Sequence, residues 1–327
     1  MRILGIETSC DETGASLVED GRRILSNIVL SQERIHAEFG GIVPEVASRQ
    51  HIRSIIPIIR IALGRANLSL HEIDAVGVTS GPGLAGSLLV GINVAKGIAL
   101  SLGVPLIGVN HLEAHIYASW LLPEPPYLPA VCLVVSGGHT ELILMRDHLD
   151  LRVIGRTRDD AAGEAFDKVA RILGLGYPGG PHIERVAREG RPTFTLPTPI
   201  PHSYDFSFSG LKTWVLRMRE KIGEDEIKDL ARSFQDKVVE VLLDKTFRAY
   251  REFGANSIIV AGGVASNSSL REAFLSLPVP VFIPPPELCT DNGAMIASCS
   301  YFHLIKGDLS PLSLDATPSL SIPSLYQ

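Results

Sequence analysis

The chain has 327 residues, of which 45% are hydrophobic, 20% charged and 6% aromatic, and it carries a net charge of −6. That length predicts two domains with separate cores, and the composition excludes a fibrous or broadly disordered chain, leaving only the Ser/Pro-rich tail after Leu309 as a candidate for disorder. A pI near 5.9 argues against a protein that grips nucleic acid by bulk charge, with a local basic face still open.

In chain order, the first segment is MRILGIETS, an apolar run too short for a signal peptide and carrying Glu7 inside it. Residues 3–7 predict a strand, TSCDETG a polar turn, 15–19 a second strand, EDGR a hairpin and 24–30 a third strand. DAVGVTSGPG then reads as a strand ending in a glycine turn, followed by an apolar helix over 85–101, the strand PLIGV and a helix carrying His111. No run is expected to reach the roughly 18 residues of a membrane span, because Asn93 and Lys96 interrupt the best candidate. No membrane partner is expected.

From residue 130 the pattern starts again. AVCLVV, ELILM and LRVIG predict three strands joined by the turns SGGHT and RDH. SIIVAGGVASN is again strand then glycine turn, followed by a helix over 268–276, the strand VPVFIP and a helix opening at Asp291. Strands alternating with helices imply parallel pairing. The repeat predicts an α/β fold, a duplicated actin/sugar-kinase/chaperone-ATPase-like superfold with halves at 1–125 and 126–327 and a helical insertion over about 157–250 in the second half. Two unrelated α/β domains are the plainer alternative. Four cysteines (Cys10, Cys132, Cys289, Cys299) form no CxxC pair, which fits a reducing cytoplasm.

In such a fold, the hairpin turns at residues 8–13 and 136–140 are candidate phosphate sites, since glycines admit close backbone N–H approach and hydroxyls add donors. Paired glycines also occur in any tight turn. In AGGVASNSSLR, Asn267 is either a helix N-cap or a group bonding a ribose or base. In AGEAFDKVARILGLGYPGGP, Ala165, Val169 and Leu173 fit a helical core stripe, and spacing leaves Asp167 and Lys168 on a solvated face. His111 and His115 in HLEAH share one helix face at i, i+4 and can bind one metal. A zinc protease needs its glutamate directly after the first histidine, where this chain has Leu112, so Glu113 points off the ligand face. The repeat nominates Asp291 as third ligand, with a helix N-cap as its plainer role.

The motifs GIETSCDET, GGIVPEVASRQH, TSGPGLAGSLLVG, NHLEAH, VSGGHTEL, AGEAFDKVARILGLGYPGGP, FSFSGLKT, AGGVASNSSLR and TDNGAMIA resemble, in order and over nearly the whole chain, the TsaD family of tRNA threonylcarbamoyladenosine transferases. The resemblance implies transfer of an L-threonylcarbamoyl group from threonylcarbamoyl-AMP to N6 of the adenosine 3′ of the anticodon, in tRNAs reading codons that begin with A. It implies one divalent metal, iron with zinc as the alternative, on His111, His115 and Asp291, and Mg with the nucleotide as a further option. It places Val134, Val135, Ser136, Gly137, Gly138, Asp167, Gly180, Glu184 and Asn267 on substrate-binding positions, which revises the solvated-face reading of Asp167. Asp11 falls on an acidic residue of the family's active site and is the candidate for removing the amine proton. Val134 and the Gly137–Gly138–His139 turn depart from archaeal and eukaryotic relatives, which suggests the bacterial branch, with a TsaB-like paralogue and a TsaE-like ATPase as partners. Gly293 stands where an alanine is common.

Three rivals stay open at this stage. A kinase or chaperone-like ATPase shares the hairpins but needs no histidine pair, a non-catalytic scaffold paralogue would lose HLEAH, and a metalloprotease lacks its base. For tRNA, the clearest basic cluster is Lys212, Arg217, Arg219 and Lys221 in the insertion, which is otherwise a solvated helix face.

Overall fold

A computed structural model describes residues Met1–Tyr326. It divides into two compact units, one made of Met1–Pro125 with Thr290–Ile322, the other of Pro126–Cys289 with the segment from Pro323 onward. Among the described residues, ten strands form two five-stranded sheets.

In the first unit the meander is β1 (Arg2–Glu7), β2 (Glu12–Glu19) and β3 (Arg23–Ser31), followed by α1 (Glu33–Ala37), α2 (Pro44–Ala66), β4 (Ala75–Gly81), α3 (Ala85–Leu102), β5 (Leu106–Asn110) and α4 (His111–Tyr117). The sheet order is β3-β2-β1-β4-β5, antiparallel across the meander and parallel from β1 through β5. One face of β1 and β4 carries Leu4, Ile6, Val76 and Val78, packed with Ile55, Ile59, Leu88 and Ile92 from α2 and α3. Burial of such side chains contributes roughly 1.5–3 kcal/mol each.

The second unit repeats the order with β6 (Ala130–Val135), β7 (Thr140–Asp147) and β8 (Asp150–Arg156), then α5 (Ala162–Ile172), α6 (Gly179–Ala187), α7 (Ser209–Arg219) and α8 (Ile227–Glu252). It continues through β9 (Ser257–Ala261), α9 (Ser268–Leu275), β10 (Val281–Phe282) and α10 (Pro286–Cys289). Its order, β8-β7-β6-β9-β10, has the same antiparallel and parallel pairings in the same places, so the meander-plus-crossover unit occurs twice. The strand expected at VPVFIP is only two residues long, because Pro280 and Pro284–Pro286 flank it and cannot donate to a ladder.

Residues 290–322 depart from the expected second half and belong to the first unit. The last helix, α11 (Gly293–Ile305), lies on β1, β2 and β4. The reason is the spacing of small residues: LGI in β1 and AVGV in β4 alternate large apolar residues with glycine or alanine, so one sheet face is flat enough for a helix. A Cβ at Gly5 would stand 2.1 Å from the Gly293 carbonyl oxygen. The apolar helix α3 is, by length and composition alone, able to cross a membrane, contrary to the sequence expectation. Here its Leu88, Ile92, Ala95 and Ala99 are buried in the first unit's core.

Candidate active site and metal centre

The first unit holds the histidines. Asn110 caps α4, its Oδ1 accepting from the Leu112 and Glu113 N–H groups, and this fixes where the first turn of HLEAH starts. His111 and His115 then rise on one face, their rings edge to face with centroids 4.6 Å apart. The second capped start is on α11, and it corrects the sequence reading. Asn292, not Asp291, is the N-cap, accepting from the Ala294 and Met295 N–H groups. The Asp291 carboxylate faces the histidines. His111 Nε2 lies 3.5 Å and His115 Nε2 3.2 Å from Asp291 Oδ1.

These three residues fit a divalent cation. His115 is fully buried, yet neither ring nitrogen has a hydrogen-bond partner, so the close approach of Nε2 to Asp291 Oδ1 is not a hydrogen bond. A buried polar atom without a partner costs about 1–3 kcal/mol, and a metal ion converging on both imidazoles and the carboxylate would remove that cost. One ligand atom from each of the three lies within 4.8 Å of the others, and two imidazoles with a carboxylate form a donor set that zinc or iron accepts.

Behind His111 stands Glu7, a residue the sequence reading did not single out. It is fully buried at the end of β1. Its Oε2 accepts from Thr79 Oγ1 at 2.5 Å and lies 3.2 Å from His111 Nδ1, and Oε1 accepts from the Ser9 N–H. A carboxylate on Nδ1 leaves Nε2 aimed at the metal position. Burial alone would disfavour charge on His111, but Asp291 and Glu7 outweigh it and raise its pKa to about 9 in the metal-free protein. The only sequence signal for Glu7 was a carboxylate inside the apolar strand RILGIE.

Asp11 lies in the β1–β2 turn with its carboxylate hydrogen-bonded to Glu12. Burial, then the nearby Asp291 and Asp11 charges, push Glu12 well above the usual carboxylate range. His51 of α2 fixes this turn, donating from Nε2 to the Cys10 carbonyl at 3.0 Å while Nδ1 accepts from Thr13 Oγ1 at 2.8 Å. Burial lowers the His51 pKa, consistent with that neutral tautomer.

The second unit holds a cavity of about 250 Å³, lined by Gly137, Asp167, Gly180, Glu184, Asn267 and neighbours. That approaches the lower end of small-molecule sites, roughly 300–1,000 Å³. Asp167 is not on a solvated face: its Oδ1 accepts from the Gly179 N–H at 2.7 Å, and burial raises its pKa. The approach requires Gly179, where a Cβ would stand 2.5 Å from the Asp167 Cα. Asn267 caps α9 through Oδ1, and its amide donates to Gln235 Oε1 at 2.9 Å, so its buried amide already has protein partners. Glu184 accepts from Ser268 Oγ at 2.5 Å and Arg188 at 2.8 Å. Gly137 and Gly138 form an exposed turn closed by the Ser136 N–H on the His139 carbonyl. Val134 and Val135 point fully buried side chains into the sheet's two faces, and neither lines the cavity, nor do Ser136 and Gly138.

Known proteins agree in family and in fold. The sequence model of TsaD, tRNA N6-adenosine threonylcarbamoyltransferase, matches residues 23–298. The chain is 55% identical over 326 residues to a protein of that name from Dehalococcoides mccartyi, covering 99% of this chain and 100% of the relative. It is 54% identical to another of the same name from Thermomicrobium roseum, covering 98% and 97%. Among solved structures, HypF of T. kodakarensis aligns with a TM-score of 0.66 at 14% identity, over 96% of this chain and 49% of that one. Component A of the (R)-2-hydroxyglutaryl-CoA dehydratase of Acidaminococcus fermentans aligns at 0.58 and 17% identity, over 94% and 99%. At those identities the structures speak to fold alone, and the fold is the duplicated actin-like α/β superfold.

Proposed function

The chain belongs to the TsaD family of tRNA N6-adenosine threonylcarbamoyltransferases, and from that premise we propose that it transfers the L-threonylcarbamoyl group of threonylcarbamoyl-AMP to N6 of the adenosine 3′ of the anticodon. The tRNAs are those reading codons that begin with A, and AMP is released. The observation that carries the chemistry is the convergence of His111, His115 and Asp291 with Glu7 behind them.

The donor is a mixed anhydride and already activated, so positioning and charge stabilisation are the main demands on the protein. In the reaction the N6–carbonyl bond forms, the carbonyl–phosphate C–O bond breaks with its electron pair leaving on AMP, and N6 loses a proton. His111, His115 and Asp291 would hold a divalent ion, iron or zinc, which would supply Lewis-acid polarisation of the donor. Glu7 orients His111, and Asp11 takes the N6 proton. In the second unit, the cavity lined by Gly137, Asp167, Gly180, Glu184 and Asn267 would take a nucleotide, and Mg could accompany its phosphate. A TsaB-like paralogue and a TsaE-like ATPase complete the cycle in the cytoplasm, where the tRNA substrate is.

Glu113 weighs against the protease reading. Its carboxylate lies 3.5 Å from His303, on the side of α4 away from the metal position. The test is transfer of labelled threonylcarbamoyl from threonylcarbamoyl-AMP to tRNA by metal-loaded protein supplied with both partners. Labelled tRNA with stoichiometric AMP is expected. AMP release without labelled tRNA, or no turnover in the complete mixture, would overturn the assignment.

A further inference from the structure

The helix that supplies His111 and His115 carries a third acidic or imidazole side chain between them, and it is used elsewhere. Glu113 leaves the opposite side of α4 and meets Cys299 and His303, which stand at i, i+4 on α11. One ligand atom from each lies within 4.8 Å of the other two. Cys299 is fully buried, and the Glu113 and His303 side chains are 11% and 12% exposed. Glu113 Oε1 and His303 Nε2 are buried without a hydrogen-bond partner, and Nε2 lies 3.5 Å from Glu113 Oε2. From the other side of the ring, Asp308 Oδ2 lies 2.8 Å from His303 Nδ1. That is the carboxylate–histidine line already seen at Glu7 and His111, and it turns the Nε2 lone pair toward Glu113 and Cys299.

We propose that Glu113, Cys299 and His303 form a second metal site, selective for a borderline ion such as zinc, distinct from the one on His111, His115 and Asp291. A thiolate, an imidazole and a carboxylate make a donor set suited to zinc, with a fourth position left for water at the slightly exposed rim. Binding breaks the Cys299 S–H bond, the sulfur takes the metal, and the proton goes to solvent. Burial, with the Glu113 and Asp308 carboxylates, holds the empty site's thiol well above its usual range, so the protein with no ion there keeps Cys299 neutral. The site ties α4 to α11, the helix that carries two of the first site's ligands and the helix whose start positions the third. It therefore keeps the first three ligands in register from outside their own coordination sphere.

The experiment titrates Co(II) and Zn(II) into chelator-stripped full-length protein. The expected result is a second equivalent of ion per chain and a thiolate-to-cobalt charge-transfer band in the near ultraviolet. Cys299→Ser and His303→Gln should lose the band and the second equivalent while retaining the first. His111→Ala should lose the first and keep the band. Asp308→Asn should weaken the second site by about 10–100-fold. In the His111→Ala background zinc should still raise the melting temperature, and adding Cys299→Ser should abolish that rise, a comparison that needs no catalytic readout. Saturation of the wild type at one equivalent with no thiolate band overturns the proposal, as does a band that survives Cys299→Ser. Those results would make the cluster a protonated His303 held between Glu113 and Asp308.

Discussion

Glu7 illustrates what a single residue can hide. HLEAH was legible because an i, i+4 histidine pair is a local pattern, and Asp291 was reachable through the repeat. Glu7 needed the fold, since only the pairing of β1 with β4 and the start of α4 after β5 bring Thr79 and His111 to its carboxylate. Glu7→Gln keeps the shape but removes the charge on His111 Nδ1. It should lower affinity at the first metal site about 10–100-fold in a metal titration; unchanged affinity would reduce Glu7 to a packing residue. His111→Ala, His115→Ala and Asp291→Ala should each lose that ion and most transferase activity, and near-normal metal content in all three would sink the ligand set. Asp11→Asn should spare nucleotide binding far more than turnover, because the lining residues of the cavity proposed for the nucleotide all belong to the other unit. Calorimetry and single-turnover transfer showing equal losses would leave Asp11 a shaping role only.

At the scale of elements, the strands and crossovers were readable from alternation and glycine turns, while caps and supports were not. The reading left Asp291 between ligand and cap, and the cap role falls one residue later, on Asn292. Asp167 looked solvated on its helix because the chain that covers it, the start of α6, arrives 12 residues later. A similar long-range support holds α7. Its first turn has no local side-chain cap, and Asp159 supplies one from outside, accepting from the Phe208 N–H at 2.8 Å, the Ser209 N–H at 3.2 Å and both hydroxyls of Ser207 and Ser209. Asp159→Ala should therefore cost about 1–2 kcal/mol in denaturant unfolding. Burial alone would raise the Asp159 pKa, but the Ser207, Ser209 and backbone hydrogen bonds outweigh it and hold it below its usual value. For a carboxylate shifted down, the stabilisation is complete above the unfolded pKa of about 3.9 and is lost as pH falls through the lower folded value. The wild type and Asp159→Ala should thus converge in stability only below about pH 4. A constant difference down to lower pH would mean that the variant acts through packing.

For the whole molecule, two copies of one topology supply the two kinds of site, and the charge balance sets what the chain does with tRNA. With 36 acidic against 30 basic residues it lacks the electrostatic surplus by which phosphate neutralisation supports binding. The structure narrows the basic cluster further. Lys212 is paired with Asp160 at 3.1 Å, and Arg219 is paired with Glu224. Arg217 and Lys221 are exposed, and among the described residues neither has an ion pair. Two available cations would release counterions from about two phosphates, giving a log–log salt slope of roughly −2. The isolated chain should therefore bind tRNA weakly at physiological salt, and a partner's surface must supply the remaining phosphate neutralisation. Reversing Arg217 and Lys221 to glutamate should weaken binding and flatten the slope by about 1 for each phosphate no longer neutralised, with threonylcarbamoyl-AMP binding unchanged. Arg219→Glu should instead act on stability, since it removes the Glu224 pair and adds a like charge beside it. Tight tRNA binding by the purified chain at physiological salt, with full turnover and no partner present, would show that another surface carries the tRNA.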